Sequence, residues 1–195
     1  MPYVDLAFRL QGNSVPVDHG YALYAALSRI VPAIHDAKDI GVPPIRGVYN
    51  GDGSLHLTDY SRLVIRLPDE QIRQYLPLAG KRLEIGGHAV NAGVPEVRTL
   101  PLVTRLRARL VTIKGFQDEP GFRLAAQRQL DDLNVTGELL IGERRTLRIK
   151  DKQVVGFEVA FDGLAAEESL ILQEVGVGGR RRMGCGVLVP MSAST

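Results

Sequence analysis

Apolar and polar residues alternate from the start of the chain. Val4, Leu6, Phe8 and Leu10 interleave with Asp5, Ala7 and Arg9, which predicts a half-buried strand. A Gly12-Asn13-Ser14 turn follows, and Asp18 stands where a helix N-cap would. Leu23, Leu27, Ile30 and Ile34 then recur at helical spacing. Pro32 interrupts that stripe, so the helix kinks or restarts there. Ile45 to Tyr49 and Leu55 to Leu57 flank Asn50-Gly51-Asp52-Gly53, a hairpin signal. A strand over 62–67, a short helix over 69–78 with Ile72 and Leu76 inward, and a strand over 81–85 complete the first half. A linker is expected over 92–101, where two prolines and a glycine fall.

The second half repeats that order. Leu106, Ala108 and Leu110 alternate with Arg105, Arg107 and Arg109, a strand with an arginine row. Phe122, Ala126, Leu130 and Leu133 mark a helix. Strands are expected over 139–141, 146–149 and 155–161, a helix over 164–175, and a last strand over 185–189. Each half approximates β-α-β-β-α-β with extra strands. The expectation is an α+β chain of two tandem ferredoxin-like (RRM-like) domains, residues 1–95 and 96–195.

Composition changes this picture little. At 195 residues and 45% hydrophobic, the chain holds one medium domain or two small ones. No run of about 18 apolar residues suggests a membrane span, and no basic-then-apolar leader opens the sequence, so a cytoplasmic protein without membrane contact is expected. One cysteine, Cys185, rules out an internal disulfide and a Cys-based zinc site. His19, His35, His56 and His88 are scattered without metal-ligand spacing, so neither metal nor other cofactor is expected.

Charge is more informative by position than in total. The net charge is +2, but arginines cluster at Arg105-Arg107-Arg109, at Arg144-Arg145-Arg148 and at Arg180-Arg181-Arg182. The third cluster sits inside Gly176-Val177-Gly178-Gly179-Arg180-Arg181-Arg182-Met183-Gly184-Cys185-Gly186, where five glycines frame three guanidiniums. Glycines permit close approach to backbone, and arginine forks match phosphate oxygens. A P-loop is excluded because Cys185-Gly186 replaces its Lys-Ser/Thr and a helix precedes the loop. A dinucleotide loop is excluded because Arg181 stands at its third glycine.

What fits over the full length is G-h-G, five residues with Lys/Arg, then G-h-G, where h is apolar. This resembles the glycine-rich loop of the RAMP superfamily, the RNA-binding ferredoxin-like proteins of CRISPR systems, in which it joins the last helix to the last strand. The first half is similar to the CRISPR repeat-processing endoribonucleases. Val15-Pro16-Val17-Asp18 leads into a helix with Tyr21 and Tyr24, then Pro32-Ala33-Ile34-His35-Asp36, with Gly41 six residues after the histidine. Leu55-His56-Leu57-Thr58 and Ser61-Arg62-Leu63 resemble a compact subfamily of them.

The resemblance implies a nuclease that cuts precursor crRNA within CRISPR repeats, without a metal. The RNA's own 2′-OH attacks and leaves a 2′,3′-cyclic phosphate and a 5′-OH. His35 is implied as the central catalytic residue; histidine suits proton transfer near neutral pH. His19 is the runner-up base. Tyr21 or Tyr24 would orient the 2′-OH or the phosphate, or would simply pack. Lys38 or Arg46 would stabilise the developing charge.

RNA contacts are expected from Gly176, Gly178, Gly179, Arg180, Arg181, Arg182, Gly184 and Gly186. Arg105 and Arg107 would track an RNA backbone or only keep a sheet soluble, and Arg144 and Arg145 are candidates for a repeat hairpin. Partners are then CRISPR repeat RNA and the subunits of an effector complex. Two rival readings stay open: a RAMP subunit that holds crRNA without cutting it, and a ferredoxin-like protein that binds a small phosphate ligand.

Overall fold

A computed structural model describes residues 2–191, and the chain divides into two compact units, 1–99 and 100–195. In chain order the first unit contains β1 (Tyr3–Gln11), β2 (Ser14–Pro16), α1 (Gly20–Ile30), a 3-10 turn (Pro32–His35), β3 (Val48–Tyr49), β4 (Ser54–His56), β5 (Arg62–Pro68), α2 (Ile72–Tyr75) between two 3-10 turns, β6 (Arg82–Ile85) and β7 (His88–Thr99). Its main sheet is antiparallel in the order β5-β1-β7-β6. Leu6, Phe8 and Leu10 of β1 and Leu63, Ile65 and Leu67 of β5 point to one face, where α1 covers them with Leu23, Ala26 and Leu27. That shared apolar layer holds the unit together.

The strand that would follow α1 in a ferredoxin-like unit is reduced to one bridge. Gly41 N–H donates to Arg66 O at 2.9 Å, and Arg66 N–H donates to Gly41 O at 2.7 Å. The same Arg66 side chain is 1% exposed and grips Asp5 with two bonds, 2.7 and 2.9 Å long. The expected hairpin forms, with Val48 opposite His56 and Tyr49 opposite Leu55, and β2 adds a third strand. Asp52 ties its turn: its carboxylate accepts from the Ser54 hydroxyl at 2.6 Å and the Ser54 N–H at 2.9 Å. Those two bonds hold the Asp52 carboxyl below its usual range.

In the first unit three local expectations are corrected. Helix α1 has His19, not Asp18, at its N-cap position. The helix over 69–78 is a run of three short turns, because Pro77 removes a donor from the ladder; Tyr75 is buried and Leu76 is 43% exposed. Residues 92–99 are strand rather than linker, pairing with β1 from Thr99↔Val4 to Ala92↔Leu10 around a bulge.

The second unit is β8 (Leu106–Val111), α3 (Glu119–Asp132), β9 (Glu138–Ile149), β10 (Lys152–Asp162), α4 (Ala166–Val175) and β11 (Val189–Pro190), with sheet order β11-β8-β10-β9. That is the ferredoxin-like βαββαβ arrangement. Phe122, Ala126 and Leu130 pack against Leu106, Ala108, Val159 and Phe161. Asp118 caps α3, accepting from Gly121 N–H at 2.8 Å. The two strands expected over 139–149 are one, and the last strand begins at Val189 because 185–188 form a buried loop.

Candidate functional site

Helix α1 ends because Pro32 cannot continue it, and the 3-10 turn Pro32–His35 folds back on the helix it left. Ile34 is fully buried and pins that turn to the core. His35 is thereby set on the surface with its ring edge-on to Tyr24, centroids 5.5 Å apart at 89°. Tyr24 Oη and His35 Nδ1 are 2.6 Å apart. Tyr24 is half-buried against the core, and its stem is fixed on the helix, so the phenol holds the imidazole. Tyr21 lies one turn earlier on α1, half-buried. Lys38 is exposed, three residues past His35, in a loop whose Asp39 accepts from the Gln71 side chain.

A phenol both donates and accepts. When His35 Nδ1–H donates to Tyr24 Oη, the other ring nitrogen presents a lone pair, the form a general base requires. Proton uptake then leaves an imidazolium still hydrogen-bonded to the phenol.

The remaining histidines lie in other settings. His19 is 1% exposed and uses both nitrogens, Nδ1 toward Pro16 O at 2.7 Å and Nε2 accepting from Ile45 N–H at 2.9 Å. Donating at Nδ1 and accepting at Nε2, it is a neutral staple between β2 and the loop before β3, and its runner-up role as base falls away. His56 is exposed on β4, and His88 Nδ1 lies 2.9 Å from Ser14 Oγ.

The glycine-rich loop joins α4 to β11, and three of its glycines, Gly176, Gly178 and Gly186, serve close backbone packing. A Cβ on Gly186 would sit 2.0 Å from Val177 O, on Gly176 2.3 Å from Gly186 O, and on Gly178 2.5 Å from Thr112 O. The loop's N–H groups are largely used within the fold. Val177 N–H donates to Gly186 O, Gly179 N–H to Thr112 O and Gly186 N–H to Leu110 O. Gly178 N–H donates to Gln129 Oε1 at 2.8 Å. Sequence reasoning missed Gln129, because nothing in the local pattern of α3 marks this half-buried glutamine as a partner for a loop 49 residues away. Gly179 and Arg180 are exposed, and Arg180 adopts φ 62° with its guanidinium near Thr112 Oγ1. Arg181 instead donates to Glu174 O and caps the C-terminal end of α4. Arg182 and Gly184 complete the turn.

The sheet arginines divide likewise. Arg105 pairs with Asp162 at 3.3 Å, and Arg145 with Glu158 at 2.9 Å and Glu143 at 3.1 Å. Carboxylates therefore offset those two guanidiniums. Arg107 and Arg144 are exposed on β8 and β9. Among the described residues, no group of three or more His, Cys, Asp or Glu is placed to hold a metal ion, and no helix is long and apolar enough to cross a membrane.

With that geometry set out, known proteins give a consistent comparison. A family model described as Cas6 Crispr matches residues 4–193. A Myxococcus xanthus (strain DK1622) protein named CRISPR-associated endonuclease Cas6 is 46% identical over 190 residues, 97% of this chain and 82% of that one. A solved structure of a CRISPR associated protein Cas6 matches with a TM-score of 0.69 at 16% identity, covering 98% of this chain and 99% of the other. Thermus thermophilus Cse3 bound to an RNA representing a pre-cleavage complex matches at 0.56 and 17% identity, over 97% and 98%. At such identities the two solved structures bear on the fold alone.

Proposed function

We propose, from the premise that the chain belongs to the Cas6 family of CRISPR proteins, that it is an endoribonuclease which cuts precursor crRNA within CRISPR repeats. The relative that is 46% identical carries the endonuclease name, and the observation that carries the mechanism is the Tyr24–His35 pair at 2.6 Å. His35 takes the proton from the RNA 2′-OH as the O2′–P bond forms. The P–O5′ bond breaks, the departing 5′ oxygen takes a proton from solvent water, and the products are a 2′,3′-cyclic phosphate and a 5′-OH. The nucleophile belongs to the substrate, so no metal-bound water is required.

Tyr24 orients the imidazole, Tyr21 and Lys38 flank the reacting phosphate, and Lys38 offsets its developing charge. Arg180 is the loop's main RNA contact, with Arg107 and Arg144 binding backbone from the sheet. Gly176, Gly178, Gly186 and Arg181 act by holding the loop's shape. Repeat RNA is the partner, and effector subunits would receive the product. The test is labelled repeat RNA incubated with the protein: cutting inside the repeat supports the reading, whereas tight binding without any cut identifies a crRNA-holding subunit.

A further inference from the structure

Strand β7 is longer than its outer neighbour. Strand β6 covers it only from His88 to Asn91, and the Gly80 and Lys81 backbone extends that cover to Ala92. From Gly93 to Thr99 no described strand pairs with its outer edge. Val94 is 84% exposed and Val97 54% exposed there. Glu96 and Arg98 beside Val97 pair with each other within the chain, Arg62 lies 3.9 Å from Glu96, and the Glu96 and Arg98 side chains stay 56% and 47% exposed, open to a second partner across the edge.

Which backbone groups face outward follows from the ladder. Ala92 turns its N–H to Lys81 O and its C=O to Gly80 N–H, away from β1. Its partner Leu10 turns its own N–H the other way, to Ser61 O. The register gains one residue on β7 between Ala92↔Leu10 and Pro95↔Phe8. Phe8 lies two residues from Leu10 and so has the same orientation, which makes Pro95, Val97 and Thr99 the outward-facing positions. Pro95 fits this assignment, because a missing N–H is tolerated on the open side of an edge strand.

We propose that this edge pairs with the same edge of a second copy, antiparallel about a twofold axis through Val97. Each Val97 N–H then donates to Val97 O of the other copy, and each Thr99 N–H to Pro95 O of the other copy. The prolines end the ladder. In this register Glu96 of each copy stands opposite Arg98 of the other, so two opposite-charge pairs form by symmetry. Edges are commonly protected by charges that repel a second strand; here the alternating signs attract in one register. One strand edge buries less than the roughly 1,200–2,000 Å² of a standard interface, so the dimer is weak, with a Kd on the order of 10–100 μM. This inference does not rest on the catalytic reading.

Sedimentation velocity of the full chain over a rising concentration series tests it. Wild type shifts from monomer to dimer, and added salt weakens the shift. Glu96→Arg places arginine opposite arginine, and Arg98→Glu places glutamate opposite glutamate; each alone stays monomeric across the series. Mixed in equal amounts, the two variants form a heterodimer, because both crossed pairs are again Arg opposite Glu. Circular dichroism melts confirm folding; if either charge variant fails to fold, Val97→Lys replaces it and raises Kd at least about tenfold. A wild type that stays monomeric throughout overturns the proposal. So does a mixture that stays monomeric, or a charge variant that dimerises as wild type does.

Discussion

Tyr24 Oη lies 2.6 Å from His35 Nδ1 although eleven residues separate them. On an unbroken helix the two would stand about 16 Å apart along the axis. The contact exists because the chain breaks at Val31–Pro32 and the following turn folds back. Tyr24→Phe removes the hydroxyl and leaves the packing in place. The expected result is a kcat lower by about tenfold or more, with RNA Kd within twofold of wild type, read by single-turnover cleavage beside a binding titration. An unchanged kcat would reduce Tyr24 to packing.

Glycines of one loop should differ in their cost. Gly186→Ala drives a Cβ to 2.0 Å from Val177 O at φ 66°, whereas a Cβ on Gly179 meets nothing within 4 Å. Gly186→Ala is expected to lose at least about 1–3 kcal/mol, and Gly179→Ala to stay within about 0.5 kcal/mol. Thermal melts of both variants check this.

Much of the fold was legible in the sequence. Alternation placed β1 and β8, helical spacing placed α1 and α3, and Asn50-Gly51-Asp52-Gly53 placed the hairpin. The glycine pattern located the loop between α4 and β11, since its spacing depends on local chain geometry. Contacts that depend on distant partners were not legible. The Tyr24–His35 meeting needs a chain reversal that helical projection cannot give. The bridging of Pro16 and Ile45 by His19, and of Gly178 by Gln129, joins residues far apart in the chain. Strand β7 was hidden because Gly93 and Pro95 look like linker, yet a bulge and an open edge accommodate both.

The Arg66–Asp5 pair gives a third expectation. Arg66→Ala leaves Asp5 facing a cavity where a two-bond partner stood, and should cost about 3–5 kcal/mol. Denaturant midpoints measure the loss. Arg66→Met with Asp5→Leu should recover part of it, because no lone charge remains.

Acid stability should depend on Glu168. Its carboxylate accepts from the Thr136 N–H, the Ala165 N–H and the Thr136 hydroxyl, which together hold it below the ordinary 4.5. A depressed folded value stabilises the protein above pH 4.5, and that contribution is lost as pH falls through the folded value. Glu168→Ala should therefore destabilise the protein at neutral pH. The gap from wild type should narrow as pH falls below 4.5, as urea unfolding at successively lower pH would show.

The most direct measurement incubates end-labelled repeat RNA with wild type and His35→Ala in excess EDTA and identifies the new ends. The account predicts cutting by wild type that leaves a 2′,3′-cyclic phosphate and a 5′-OH. It predicts a loss of at least about 10²–10⁴-fold in His35→Ala with RNA binding retained. Cutting that stops in EDTA, or that continues at the wild-type rate without His35, would contradict it.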